Sequence, residues 1–383
     1  MKLFYVFIIN QSLILIARII HRIGSEISNL TFIKPLNRNI VIEGGGRAWS
    51  SNYFIELENS LKEYIEPDTG ITKLVIPRRK FYILYIYKCL KNRNITHYVH
   101  DPRTGSQNSF VAVLESFIIT FLFAYYRITL ISILTDCSIR QWRFQSSIVT
   151  INTGVIVTFL EVKYFGKLLK NYRIIGGSLM PLSISTFETI NQINKKYSNA
   201  NAEVNRNLYF LGSVYGYRKH LFEEVNLLSN LSEKRPFIEY EAKLDGDYFE
   251  YWEKLIKKRN FITTCTQVKS AGYKFDLPDL TQIVFRITEV LASGSLLFCF
   301  PVPGLQKYFK ESEDYIPILE NSHYLHSLQD KFTDITKSRQ SISTSAKNIM
   351  KDYVYYQTFW RNIDDNLQNR VKPSSSEIKQ DKS

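Results

Sequence analysis

The chain has 383 residues, more than one hydrophobic core usually organises, so its length predicts two domains of ordinary size. With 45% hydrophobic and 22% charged residues, the composition excludes a wholly disordered chain. The 49 Lys and Arg residues exceed the 36 Asp and Glu residues and give a net charge of +13, which favours anionic partners such as phosphate groups, nucleic acid or an acidic membrane surface.

The N-terminus begins with an apolar stretch from Leu3 to Ala17, which is shorter than the roughly 20 residues that span a bilayer. No small-residue cleavage site follows it. The next residues set Arg18, His21 and Arg22 against isoleucines at helical spacing, which predicts an amphipathic helix with a basic face. Two interpretations stay open: a helix packed on the protein, or a helix that lies on a membrane surface.

Short apolar runs alternate with amphipathic ones from residue 39 to residue 136. The predicted strands are NIVIEGGG, TKLVIP, THYVHD and ITLISILTD, and the predicted helices between them are SSNYFIELENSLKEYI, KFYILYIYKCLKN and residues 110–126. Such alternation with nearly continuous apolar strands predicts a parallel sheet with helices on both faces. Ligands of such sheets gather at the carboxyl ends of the strands. These ends carry Gly44, Gly45, Gly46, His100, Asp101 and Asp136.

A second series of strands and helices follows a polar stretch that predicts a linker. Its strands are LYFLGSVYG, FITTCTQ and SLLFCF; its helices are RKHLFEEVNLLSNL, DYFEYWEKLIKKR, LTQIVFRITEVLAS and the short GLQKYF. One or two closing helices follow, and the final residues lack the apolar side chains needed to fold. The predicted organisation is a basic helical segment (1–38), a first α/β domain (39–193), a linker (194–206), a second α/β domain (207–338), closing helices (339–370) and a disordered tail (371–383).

The stretch FRITEVLASG has a spacing that suits a nucleotide diphosphate. Arg286 and Glu289 are three residues apart, so both project from one face of a helix. The arginine fork can donate several hydrogen bonds to a diphosphate, and a carboxylate can accept from the two hydroxyls of a ribose. Small residues up to Gly294 allow a close turn into the strand SLLFCF. The same spacing also fits an ordinary surface Arg–Glu pair.

The run from FRITEVLASGSLLF through PGLQKYF resembles the C-terminal domain of GT-B glycosyltransferases, in particular the group related to spore-maturation glycosyltransferase-like proteins. The resemblance implies that Glu289 contacts the donor ribose, with Arg286 near the diphosphate. The segment YFLGSVYGYRKHL is similar to the part of that family which holds the donor phosphates. It implies donor contacts from Gly212, Arg218 and Lys219, and a solvated helix start is the alternative for the basic pair.

The N-terminal half resembles the family over two shorter segments. THYVHDPRTG is similar to the histidine-bearing strand end of many GT-B enzymes, which implies that His100 and Asp101 lie beside the transferred sugar; a loop turn begun by Asp-Pro is the alternative. IEGGGRAWSS resembles the glycine-rich loop that faces donor and acceptor and implies this role for Gly44, Gly45 and Gly46. Thr281 stands where a Glu-x7-Glu pair ending at Glu289 would need its first carboxylate, so the stereochemical outcome stays open.

A further motif, DGD at residues 245–247, would place two carboxylates for a divalent metal ion. Because it directly precedes the helix YFEYWEKLIKKR, Asp247 is better explained as a helix N-cap. We therefore expect no metal site and no cofactor beyond the donor.

The resemblance implies a GT-B fold, in which two doubly wound domains face each other across a cleft and closing helices cross back to the first domain. It implies a nucleotide-sugar-dependent glycosyltransferase of bacterial polysaccharide biosynthesis, acting on a cell-envelope glycan or glycolipid. The expected location is the cytoplasm or the inner face of its membrane. Two alternatives stay open: a catalytically silent scaffold of the same fold, and a nucleic-acid-binding protein, which the wide spread of Lys and Arg over many helices disfavours.

Overall fold

The computed structural model describes residues 2–31, 39–44, 51–75, 82–92, 94–100, 109–134, 153–159, 174–197, 207–212, 219, 222–223, 225–227, 237–241, 247–258, 260–263, 283–299, 302, 304–318 and 324–368. Within these ranges the chain forms two parallel sheets, each covered by helices. The helices and strands are numbered separately along the described residues.

The first sheet has the strand order β2-β1-β3-β4-β5-β6 within the described residues, and neighbouring strands all run parallel. Its strands are β1 (Asn39–Gly44), β2 (Gly70–Val75), β3 (His97–His100), β4 (Thr129–Leu134), β5 (Thr153–Thr158) and β6 (Ile174–Ile175). Consecutive residues of β1, Ile40, Val41 and Ile42, are all buried, as expected for a strand with helices over both faces. The predicted parallel sheet is confirmed, and it contains two further strands, β5 and β6, that were not predicted.

Five helices of the described chain accompany this sheet: α1 (Lys2–Thr31), α2 (Ser51–Tyr64), α3 (Tyr82–Asn92), α4 (Ser109–Tyr125) and α5 (Ile184–Tyr197). α1 packs along α4, and α4 packs in turn against α3. α5 runs on to Tyr197, so the first four residues of the predicted linker belong to a helix. The Asn194 side chain donates to the backbone oxygen of Ser293 at 2.9 Å. The remaining linker residues, 198–206, lie outside the described residues.

The second sheet has the order β11-β10-β9-β7-β8 within the described residues, and its strands are also parallel. Its strands are β7 (Asn207–Leu211), β8 (Phe237–Glu241), β9 (Asn260–Thr263), β10 (Leu296–Cys299) and β11 (Ile316–Pro317), with helices α6 (Tyr248–Lys258) and α7 (Phe285–Ala292). Strands β8 and β11 were not predicted. In both sheets the first strand lies between the second and the third, which defines a topological switch point at the carboxyl ends of those strands.

Two closing helices, α8 (Tyr324–Tyr355) and α9 (Thr358–Gln368), return the chain to the first sheet. α8 packs on α7 and β10, whereas α9 packs on β5. Gln357, with a φ of 50°, interrupts the helical backbone between them. From α9, Trp360 donates to the Ser60 hydroxyl at 3.0 Å. This path confirms the predicted GT-B architecture with crossing helices.

No helix in the described ranges is both long enough and apolar enough to cross a bilayer. The predicted disordered tail, 371–383, lies outside the described residues.

Candidate functional site

A buried carboxylate connects two strands at the switch point of the first sheet. Glu43 of β1 accepts a hydrogen bond from the Tyr98 hydroxyl at 3.0 Å, and its other oxygen lies 2.8 Å from Nδ1 of His100 at the end of β3. Glu43 and His100 are only 1% and 5% exposed. Donation from Nδ1 to the carboxylate leaves Nε2 as the basic nitrogen, which is how a histidine is oriented for general-base chemistry.

The sequence predicted His100 but not Glu43 or Tyr98. A signal was nevertheless present, because a glutamate inside the apolar strand NIVIEG is rarely buried without a partner. Gly44 ends β1 opposite Val75 of β2. The other predicted residues of this region, Gly45, Gly46 and Asp101, lie outside the described residues.

A second polar cluster lies at the first turns of α7, on the C-terminal half of the molecule. The Tyr251 hydroxyl donates to Oε1 of Glu289 at 2.6 Å, and Nη1 of Arg286 lies 2.6 Å from Oε2 of the same carboxylate. Arg286 also donates to the Tyr251 hydroxyl. The Glu289 side chain is 1% exposed and that of Arg286 is 24% exposed. The alternative of a surface Arg–Glu pair is therefore wrong.

Electrostatics in this cluster follow from its burial. Burial raises the pKa of the Glu289 carboxyl above its ordinary value, and the Arg286 guanidinium and Tyr251 hydroxyl offset this only in part. Burial also raises the pKa of Tyr251, and the Glu289 carboxylate adds to that effect, so the phenol remains a donor. The buried Nε of Arg286 has no hydrogen-bond partner in the described part of the chain. The same holds for Oε2 of Glu289, which forms the ion pair with Nη1 of Arg286 but has no hydrogen-bond partner among the described residues.

Gly294 lies at the opposite end of α7 from Arg286, about 12 Å along the helix axis at 1.5 Å per residue. Its φ of 72° is left-handed, and the Ser295 N–H donates to the Val290 oxygen at 3.3 Å, which completes a Schellman closure of α7. α7 leads from there into the amino end of β10. The left-handed turn therefore accounts for the glycine at position 294. Its placement lends no support to a contact between Gly294 and the donor.

The remaining predicted donor residues differ in their placement. Gly212 follows β7 at the switch point of the second sheet, with a φ of 150°, and its N–H donates to the Glu241 oxygen at 2.8 Å. Lys219 is exposed and lies 3.8 Å from Glu223, one helical turn further along. That pairing fits the alternative of a solvated helix start. Arg218 lies outside the described residues.

A third buried carboxylate connects the two halves of the chain. Glu56 of α2 accepts the Ser183 N–H at 2.7 Å, the Thr186 hydroxyl at 2.8 Å and the hydroxyl of Tyr248 from α6. It is fully buried, and burial raises its pKa, although these hydrogen bonds oppose the shift. Nothing in the sequence pattern predicted this contact. It holds the first turns of α2 next to those of α6.

An aromatic contact extends the same interface to α7. The rings of Tyr53 from α2 and Phe285 from α7 pack edge to face with centroids 6.4 Å apart. Phe285 directly precedes Arg286. The polar cluster of α7 is therefore positioned at the boundary between the two halves.

The described residues contain no group of three or more His, Cys, Asp or Glu side chains that could hold a metal ion. The carboxylate of Asp247 accepts the Glu250 N–H at 2.9 Å, so the predicted N-cap is confirmed. Asp245 lies outside the described residues.

No protein-family model and no curated protein sequence matches the chain. Solved structures do match. Anabaena HepE in complex with UDP and glucose superposes with a TM-score of 0.56 at 10% identity, covering 87% of this chain and 100% of HepE. A Rickettsia africae glycosyltransferase gives 0.54 at 11% identity, with coverages of 89% and 100%. Sucrose-phosphate synthase from Thermosynechococcus elongatus gives 0.53 at 9% identity, with coverages of 87% and 100%. The chain has the GT-B fold of these enzymes.

Proposed function

We propose that the chain is a glycosyltransferase that moves a sugar from a nucleoside diphosphate sugar to a cell-envelope glycan or glycolipid, in the manner of the spore-maturation-type group. The buried Arg286–Glu289–Tyr251 cluster at the cleft is the observation that carries this proposal. Support comes also from the similar structures, because HepE is solved with UDP-glucose and an alpha-glucosyltransferase of the same fold is solved with UDP and DNA.

In this proposal Arg286, whose side chain is 24% exposed, supplies positive charge to the donor diphosphate. Glu289 and Tyr251 hold the guanidinium in place. A contact between Glu289 and the ribose requires a ribose hydroxyl to reach the Oε2 atom. The guanidinium takes the role that a metal ion plays in other transferases, so the reaction is proposed to need no metal.

His100 is the candidate base on the opposite side of the cleft. The acceptor hydroxyl forms a bond to the anomeric carbon while the bond from that carbon to the diphosphate oxygen breaks. Nε2 of His100 takes the hydroxyl proton, and the nucleoside diphosphate leaves with the bonding electron pair. Glu43 acts as a positioning residue in this scheme, since its carboxylate orients the His100 ring through Nδ1.

Donor binding is tested by thermal shift against UDP-, GDP- and ADP-sugars, because a ligand that binds only the folded state raises the melting temperature. We expect at least one donor to stabilise the chain and Arg286→Lys to reduce that shift, since lysine keeps the charge but loses the fork. Lys310→Ala, an exposed charge outside the cleft, is the control. A panel in which no donor shifts the melting temperature contradicts the proposal.

Turnover separates an enzyme from the silent scaffold that the sequence also allows. Hydrolysis of the bound donor, or transfer of a labelled sugar to envelope polysaccharide or lipid extract, is expected for the unmodified chain and is expected to be lost in His100→Ala. Binding without either reaction supports the scaffold. An oligonucleotide arm tests the third alternative, for which affinity would fall steeply with salt.

A further inference from the structure

Helix α1 is attached to the first half through its small residues. Ala17, Gly24 and Ser28 are buried and fall within about 40° of one another at 100° per residue. A Cβ added at Gly24 would lie 2.9 Å from the Phe121 oxygen and 3.1 Å from Cβ of Ala124. The two helices therefore pack at close range, as a stripe of small residues permits.

The contacts also fix the direction of the two helices. Gly24 lies level with Phe121 and Ala124, and further along Arg127 donates to the Ser28 hydroxyl at 3.1 Å. Both helices thus run the same way with a nearly constant offset. That offset brings Ile16 and Ile19 of α1 level with Leu114 and Ile118 of α4.

Each of the two helices also has large apolar side chains that are exposed to solvent. The residues Ile16, Ile19, Ile23, Leu30, Leu114 and Ile118, called the docking surface below, are between 45% and 86% exposed. On α1 this strip lies about 130° from the face that contacts α4; on α4 it lies about 70° from the face that contacts α1, in the opposite sense. Because the helices run parallel, these two rotations turn both strips to the same side.

Exposed charge beside this surface is positive on balance. The described side chains of α1 include Arg18 and Arg22 against one acidic residue, Glu26, and α4 carries Glu115. Of the acidic residues, Glu115 is buried and Glu26 is paired with Arg22 at 2.9 Å. The charged residue of α4 is thus buried, and its outer side presents apolar side chains to solvent.

We propose that the docking surface binds an anionic lipid bilayer, with α1 lying in the plane of the headgroups. From Ile16 to Leu30 the strip is about 21 Å long, and Arg18 and Arg22 flank it, which is the pattern of an interfacial amphipathic helix. A second copy of the chain is the less suitable occupant, because pairing two such surfaces would bring like charges together, and the exposed carboxylate of α1, Glu26, is already paired with Arg22. This inference does not depend on transferase activity.

The test is co-sedimentation of the full chain with phosphatidylcholine vesicles, with and without phosphatidylglycerol. We expect binding to the anionic vesicles that weakens with salt. Ile19→Ser/Ile23→Ser should lower the partition coefficient more than about tenfold, because it removes apolar groups that enter the interface. Arg18→Glu/Arg22→Glu should remove the preference for phosphatidylglycerol.

The matched control is Leu227→Ser/Phe249→Ser, which changes two residues of the C-terminal half that are 68% and 48% exposed. Its vesicle binding should equal that of the unmodified chain, and melting temperatures should confirm that every variant folds. The proposal is overturned if the unmodified chain stays in the supernatant with anionic vesicles, or if the isoleucine variant binds as well as the control. It is also overturned if light scattering shows that the unmodified chain is a dimer and the isoleucine variant a monomer, and neither protein binds vesicles.

Discussion

Glu289 is the residue on which the donor-site proposal most depends, and its burial changes what its removal should do. Glu289→Ala takes away the carboxylate paired with Arg286 and also the acceptor of the Tyr251 hydroxyl. Breaking such a buried pair from one side should lower the free energy of unfolding by about 3 kcal/mol. Urea denaturation measures this loss, and Glu289→Gln should lose less because the amide can still accept from Tyr251.

Lys310 and Glu313 form the matched control, since they have the same spacing of three residues, a distance of 3.2 Å and side chains that are 75% and 66% exposed. Glu313→Ala should cost less than about 1 kcal/mol, as exposed pairs contribute little. Equal losses for the two alanine variants would show that burial does not set the strength of the Arg286 pair.

Gly294 supports a second prediction at this scale. Its left-handed backbone and the Lys347 Cδ atom, 3.3 Å from an added Cβ, both disfavour a branched side chain. Gly294→Val should therefore destabilise the chain by about 1–2 kcal/mol or more. Gly294→Asn should cost less, because asparagine tolerates the left-handed region. The midpoint of thermal unfolding checks both, and an unchanged midpoint for the valine variant would contradict the role of the turn.

The sequence predicted residues whose motif is local and missed those whose partner is distant. Arg286 and Glu289 are one helical turn apart and could be paired from spacing alone. Tyr251 lies 38 residues from Glu289, and Glu43 lies 57 residues from His100. These contacts depend on how strands and helices come together, which no short window of sequence records.

At the scale of elements, the N-terminus of α5 is held by two carboxylates of α2. Glu56 accepts the Ser183 N–H, and Glu63 accepts the Ser185 N–H at 3.0 Å. Negative charge at a helix N-terminus is favourable because it faces the positive end of the helix dipole. The connection between the two halves thus begins at a fixed point on α2.

Glu56 makes this element sensitive to pH in a defined direction. Because burial raises its pKa in the folded state above the ordinary 4.5, the carboxyl favours folding at low pH, and that contribution is lost as pH rises through the folded pKa. The stability of the unmodified chain relative to Glu56→Gln should therefore fall as pH rises from about 4.5 towards neutrality. Urea denaturation across this range measures the free energy of unfolding of both proteins. If the unmodified chain becomes more stable relative to Glu56→Gln as pH rises, the raised pKa of Glu56 is contradicted.

Element types followed from periodicity where an element was predicted, but the strands β5, β6, β8 and β11, the helix α5 and several ends were not predicted. The strand β8, FIEYE, follows charged and turn-forming residues and alternates for only five positions, which is too short for a period to stand out. α7 begins at Phe285, five residues later than predicted, since Ile283 and Val284 are apolar but not helical. α8 is a single helix of 32 residues. The break between α8 and α9 falls at Gln357, and no proline or glycine marks this position in the sequence.

At the scale of the whole molecule, α9 packs on the first half although it follows the second half in the sequence. Tyr64 donates to Asp364 at 2.9 Å, and Gln357 donates to the Glu63 oxygen at 2.8 Å. Together with Glu56 and Tyr248, these contacts connect the halves on more than one path. Such multiple connections should make the two halves unfold together.

Trp360 allows this cooperativity to be tested. Its side chain is 2% exposed and its indole N–H donates to Ser60, so Trp360→Ala leaves a large cavity between α9 and α2 and should cost about 3–5 kcal/mol. The loss falls on the first half, whereas Trp252 and Phe298, which are buried around the second sheet, keep their neighbours. Calorimetry should therefore show one transition for the unmodified chain and two for the variant, with the earlier one belonging to the first half. Phe249→Ala, an exposed aromatic on α6, should keep the single transition at its original temperature. A single, merely lowered transition in Trp360→Ala would mean that the contacts of Glu56 with Tyr248, and of Tyr53 with Phe285, suffice to couple the halves without α9.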